Sequence, residues 1–130
     1  MDIVIDTSAL LAVIVAEPER DRIVKLTAGH TLIGPGSITW EIGNAFSAML
    51  KQKRVGLAEA QQGLKIFNAI HLRFVRVDLN NAISIAHETK TYAYDAYFLD
   101  CAVRHAAPLL TLDRALERAA TKLGVKVMEV

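Results

Sequence analysis

"DIVIDTSALL", Asp2 to Leu11, is an apolar run that meets a carboxylate, then two hydroxyl residues, then a second apolar run. The first run reads as a short buried strand and the second as the start of a helix. Asp6, Thr7 or Ser8 is placed to cap that helix, because short oxygen-bearing side chains accept hydrogen bonds from its free amides. An acid there also stands at the carboxyl end of a strand. In an open α/β sheet that is the edge where ligand crevices form.

Outward from this segment the pattern repeats. "SALLAVIVAEPERDRIVKLTAG" reads as two helical pieces interrupted near Pro18, and "HTLIGP" as a second strand. "SITWEIGNAFSAMLKQKR" and "LAEAQQGLKIFNAI" read as helices broken at Val55 and Gly56. "LRFVRV" is a third strand, followed by helices "NNAISIAHETK" and "YDAYFLDCAVRHA". "LLTL" is a fourth strand, "RALERAATKLG" a helix ending at Gly124, and "VKVMEV" a fifth strand. Strands alternating with helices predict an α/β three-layer sandwich around a parallel sheet. With no linker, repeat or low-complexity tract, residues 1–130 read as a single domain.

Position relative to strand ends then selects the acids. Asp6 follows the first strand and Asp113 the fourth, while Glu41 lies in the opening turn of the helix after the second. At ~100° per residue, Asp95 shares a helix face with Phe98, Leu99, Ala102 and Ala106, so it heads the stripe that packs on the sheet. A buried, unpaired carboxylate costs several kcal/mol, and the helix dipole returns only about 1 kcal/mol. Each acid singly reads as a cap or dipole partner. Four at one sheet edge, with no basic residue interleaved in their motifs, suggest a hard divalent cation, Mg²⁺ or Mn²⁺. Asp78 follows the third strand and reads as an ordinary helix cap, about 10 Å away if that strand lies two positions from the first. Asp100 lies ~140° around the helix from Asp95, and Arg104 one turn on makes it read as a surface ion pair.

Composition narrows the setting. The 130 residues are 52% hydrophobic with a mean hydropathy of +0.27, high enough that a partner is expected to cover part of the apolar surface. Cys101 is the one cysteine, which excludes a disulfide framework and suits a reducing cytoplasm. "ALLAVIVA", Ala9 to Ala16, has no basic residues before it as a signal peptide would, and is too short to span a bilayer. It is apolar on all sides, so a homodimer interface or a groove for a partner helix is expected there, unless the neighbouring "ERDRIVKL" helix buries it. His30, His71, His87 and His105 are scattered and show no zinc spacing. The net charge is +1, from 15 basic residues and 14 acids; setting the four acids aside leaves five excess positive charges. Lys51, Lys53, Arg54 and Arg114 could hold phosphates.

"DTSAL" after an N-terminal strand, "WEIGNAF" about 35 residues on, "YDAYFLDCA" and "LLTLD" resemble, in order and across essentially the whole chain, the PIN-domain ribonucleases. The resemblance is strongest to the VapC toxins of bacterial and archaeal toxin–antitoxin pairs. It implies strand order 3-2-1-4-5 and an acidic site of Asp6, Glu41, Asp95 and Asp113, with Mg²⁺ or Mn²⁺ as cofactor and RNA as substrate. Thr7, Ser8, Asn44 and Thr111 match neighbouring polar positions and are expected to orient carboxylates or bound water. The resemblance further implies a symmetric homodimer and a VapB-type antitoxin. Trp40 matches no fixed family feature and reads equally as core, interface or base-stacking platform. Two other classes remain: a non-catalytic or non-toxin PIN-domain protein that binds or processes RNA, and a receiver-like phosphoacceptor domain. The receiver would need paired acids after the first strand and a phosphorylatable acid after the third. Here Asp6 stands alone and Asp78 belongs to no cluster.

Overall fold

The computed structural model describes residues 1–130. Strand β1 (Asp2–Ile5) is central, its Ile3, Val4 and Ile5 almost wholly buried. It runs into helix α1 (Thr7–Ile14), whose N-cap is Asp6. Pro18 lies in the break before α2 (Arg20–Thr27). Then follow β2 (Thr31–Pro35), α3 (Ile38–Lys51), α4 (Leu57–Ala69), β3 (Leu72–Val75), α5 (Leu79–Thr89), α6 (Ala93–His105), β4 (Leu109–Leu110) and α7 (Arg114–Lys122). Gly124 ends α7 in the left-handed region, φ +76°, as its place in the sequence predicts.

The sheet is parallel throughout, in the order β3-β2-β1-β4. In register, Val4 pairs with Ile33 on one side and Leu109 on the other. This puts the ends of β1 and β4 side by side at the edge where Asp6 and Asp113 emerge. Helix α6 packs on β1, β2 and β4 and is backed by α5, while α1 packs with α2, α3 and α4. Helices flank the parallel sheet, the α/β arrangement expected from the alternating pattern.

Three features differ from the sequence reading. The fifth strand is reduced to one parallel bridge, Leu109 to Val127, and β4 stops at Leu110 instead of Leu112. Just beyond β4 the Leu112 N–H donates to the Ser8 hydroxyl and the Asp113 N–H to the Thr111 hydroxyl, so neither serves a strand partner. The all-apolar run at Ala9–Ala16 is largely covered within the chain, with Ala9, Leu10, Ala12 and Ile14 buried, Leu11 and Val13 half-buried, and Val15 and Ala16 exposed. Asp100 is not a surface residue. It is 1% exposed, because α6 is covered by the sheet on one side and by α5 on another. Its Oδ2 accepts the Asp78 N–H at 3.0 Å, with Arg104 Nε 3.9 Å away. Asp100 thus pins the β3–α5 junction. Cys101 beside it is buried, and burial pushes its thiol up to about 12.

Candidate active site

Asp6 is placed by the end of β1 and held from three directions. Its Oδ1 accepts from the Ser8 hydroxyl at 2.7 Å and, as the α1 cap, from the Ala9 N–H at 3.0 Å. Its Oδ2 accepts from the Thr111 hydroxyl, which crosses from the end of β4. Capping and site-building are therefore one arrangement. Burial raises the carboxyl above its ordinary value, the Thr111, Ser8 and Ala9 bonds oppose that rise, and the Asp113 charge adds to it.

Glu41, in the first turn of α3, accepts from the Thr7 hydroxyl on Oε1 at 3.1 Å and from Ser37 on Oε2 at 2.9 Å. Its carboxyl is raised by burial and by the charges of Asp6 and Asp95, against the lowering effect of the Ser37 and Thr7 bonds. Asp95, half-buried in the first turn of α6, has its carboxyl raised by burial and then by Asp113, with no hydrogen bond lowering it. Asp113 caps α7: its Oδ1 accepts the Ala115 and Leu116 N–H groups at 2.9 and 3.2 Å. The structure therefore links the four acids by charge in pairs: Asp6 with Asp113, Glu41 with Asp6 and Asp95, and Asp95 with Asp113.

No basic side chain pairs with any of the four; the ion pairs of the chain join Arg73 to Asp2 and Arg104 to Asp78 and Asp100. The donors are all carboxylate and hydroxyl oxygens, hard ligands that suit Mg²⁺ or Mn²⁺. No three His, Cys, Asp or Glu side chains are grouped so as to hold one ion together. Mg²⁺ keeps several waters and takes one or two carboxylates.

Of the neighbouring polar residues, Thr7, Ser8 and Thr111 hold carboxylates, whereas Asn44 is exposed on α3 and lends only its backbone carbonyl, to Ser47. Ser37 was not singled out in the sequence. Its signal is the spacing of four residues to Glu41 across a helix start. Asp78 caps α5 through the Asn81 N–H, at the end of the strand two places from β1. All four histidines are exposed. Trp40 is 72% exposed, which removes it from the core.

The PIN domain family model matches residues 3–122. The chain belongs to the PIN-domain family. No curated protein sequence matches it significantly. Among solved structures it is similar to the Pyrobaculum aerophilum protein PAE2754, at TM-score 0.72 and 22% identity over 92% of this chain and 79% of that one. It is also similar to VapBC2 from Rickettsia felis, in a structure bound to a promoter DNA fragment, at TM-score 0.67 and 16% identity over 98% of each chain. A third is VapC20 of Mycobacterium tuberculosis, described as a sarcin–ricin loop cleaving toxin, at TM-score 0.63 and 14% identity over 90% of this chain and 94% of that one. At these identities the likeness is one of fold. No helix is long and apolar enough to cross a membrane.

Proposed function

We propose that this chain is a metal-dependent endoribonuclease that hydrolyses phosphodiester bonds in RNA and serves as the toxin of a VapBC-type toxin–antitoxin pair. The observation that carries the reading is a set of four carboxylates at one sheet edge with no basic partner, of which Asp6, Glu41 and Asp95 are raised by burial and then by neighbouring acids. Such repulsion is relieved by a divalent cation. When bound, Mg²⁺ or Mn²⁺ supplies a water of lowered pKa and compensates charge at phosphorus and the leaving oxygen. Asp6, Asp95, Asp113 and Glu41 are the residues to hold it. Ser8 and Thr111 keep Asp6 oriented, and Thr7 and Ser37 do the same for Glu41. Asp95 needs no release from a hydrogen bond, and Asp113 keeps Oδ2 free while Oδ1 caps α7.

Arg114, next to Asp113, lines with Glu117, Arg118 and Thr121 an open cleft of about 550 Å³ along α7 and is the basic residue placed to hold a phosphate there. Lys51, at the far end of α3, lies ten residues beyond Glu41, about 15 Å by helical rise. The toxin reading is favoured by the whole-length likeness to VapBC2 and VapC20. An antitoxin helix has an apolar groove of about 530 Å³ available, where Val15 meets Phe46, Val55 and Ile66, and a homodimer is the expected assembly of the free toxin.

The test is cleavage of RNA by purified protein freed of antitoxin, with Mg²⁺ or Mn²⁺ and with EDTA. Cleavage should require the metal, and Asp6→Asn and Asp95→Asn should each abolish it. Undiminished cleavage in EDTA overturns the metal mechanism.

A further inference from the structure

The chain has three tyrosines and one tryptophan, and all four stand beside two of the acids. Trp40 precedes Glu41, and Tyr92, Tyr94 and Tyr97 fall within three residues of Asp95. Three of them face water broadly: Trp40 is 72%, Tyr92 87% and Tyr94 54% exposed. Tyr97 is half-buried and meets Tyr94 edge to face, with ring centroids 5.8 Å apart. Aromatic side chains carry much apolar area, and Trp40, Tyr92 and Tyr94 leave theirs uncovered beside the carboxylates.

Tyr97 lines a cavity of about 290 Å³ at the carboxyl ends of β2 and β3, bounded also by Pro35, Ser37, Val75, Val77 and Leu79. It borders the acid site: Ser37 is one of its lining residues, and the Ser37 hydroxyl donates to Glu41. Trp40 stands one turn beyond Ser37, its N–H bonded to the Ser37 carbonyl. No charged residue lines the cavity, and the carboxylates beside it repel phosphate. Its occupant must therefore be neutral and largely apolar, and its size, at the small end of ligand pockets of about 300–1,000 Å³, suits one flat ring system.

We propose that this cavity seats one unstacked nucleobase next to the scissile phosphate, with Tyr97 as its aromatic wall and Trp40 and Tyr94 as stacking surfaces for neighbouring bases. The inference rests on the ribonuclease reading above and adds to it the residues that receive a base once it has left its stack. The acids act on the backbone, which is alike at every nucleotide. The cavity is what makes one position along the strand differ from the next.

Trp40 is the sole tryptophan, so its fluorescence reports on this edge alone. A short 2′-O-methyl single strand, which is not cleaved, should quench it, and the same sequence as a duplex should not. By anisotropy of a labelled strand, Tyr97→Ala and Trp40→Ala should each weaken binding roughly 5- to 100-fold, the range of one base–aromatic stack. Tyr97→Phe, which keeps the ring, should bind within about twofold of wild type on the same measure. One abasic substitution in the strand should weaken wild type and make no difference to Tyr97→Ala. Circular dichroism checks that the variants are folded, and the exposed Trp40 keeps the test open if Tyr97→Ala is not. If wild-type protein cleaves RNA while both alanine variants bind like wild type, the base seat is refuted and the nuclease reading stands. If the variants lose dimerisation or antitoxin binding but not RNA affinity, the aromatics form a protein interface and the proposal is wrong. If wild type neither binds nor cleaves RNA, both readings fall.

Discussion

Asparagine at position 95 isolates the electrostatic cost of the acid edge. The change conserves shape and removes one negative charge from a side chain with no hydrogen bond to lose. Folding raises the Asp95 carboxyl, through burial and then through Asp113, so the ionised form opposes folding. The stability linked to this group is fully present below the ordinary value of 3.8 and is lost as pH rises through the raised folded value. At neutral pH without metal, Asp95→Asn should therefore be the more stable protein. Two like-charged neighbours, Asp113 and Glu41, are relieved, each by about 0.2–1 kcal/mol at this exposure. Loss of a favourable helix-dipole contact takes back about 0.3–1 kcal/mol, and reduced desolvation adds to the gain. The net is about 0.5–1 kcal/mol, a rise in Tm of roughly 2–5 °C for a domain of this size. Thermal unfolding in EDTA at pH 7 and low salt measures it. The difference should shrink in 1 M salt and vanish below about pH 4. In excess Mg²⁺ the order should invert, because wild type gains about 2.7 kcal/mol at a hundred times its Kd and the variant gains less. Cleavage should fall roughly 100-fold or more. A metal-free variant that melts below wild type would show that the four carboxylates do not repel one another as described.

Asp100→Asn should behave oppositely, losing about 1–3 kcal/mol by weakening the buried bond to the Asp78 N–H while folded protein keeps cleaving; unchanged melting with lost cleavage would put Asp100 in the site. Gly63→Ala drives a Cβ into the buried Phe46 ring where α3 meets α4. Overpacking of about 1–3 kcal/mol should outweigh the helix-propensity gain of about 1 kcal/mol, lowering the urea midpoint; a raised midpoint would mean the two helices part easily. Val15→Asp should leave the circular dichroism spectrum intact and abolish antitoxin capture or dimerisation, whereas loss of the folded signal would assign Val15 to the core.

The alternation of strands and helices, the break at Pro18, the stop at Gly124 and the caps at Asp6, Asp78 and Asp113 were legible in the sequence, because each depends on a few neighbouring residues. So was the approach of Asp6, Glu41, Asp95 and Asp113: a parallel sheet carries every strand's end to one edge, and three of these acids stand at strand or helix starts on that edge. Tertiary structure alone decided what surrounds them. Helical spacing set the angle of Asp100 on α6 but not that α5 would cover that side, and burial turned an expected surface pair into a structural pin. The fifth strand read as well as the others, yet beside a β4 of two residues it keeps only the bridge from Val127 to Leu109. Ser37 bonding to Glu41, and the cavity that Ser37 shares with Val75 and Tyr97, join residues up to 60 positions apart. Such contacts form only when the sheet brings three strand ends together, and no local pattern records them.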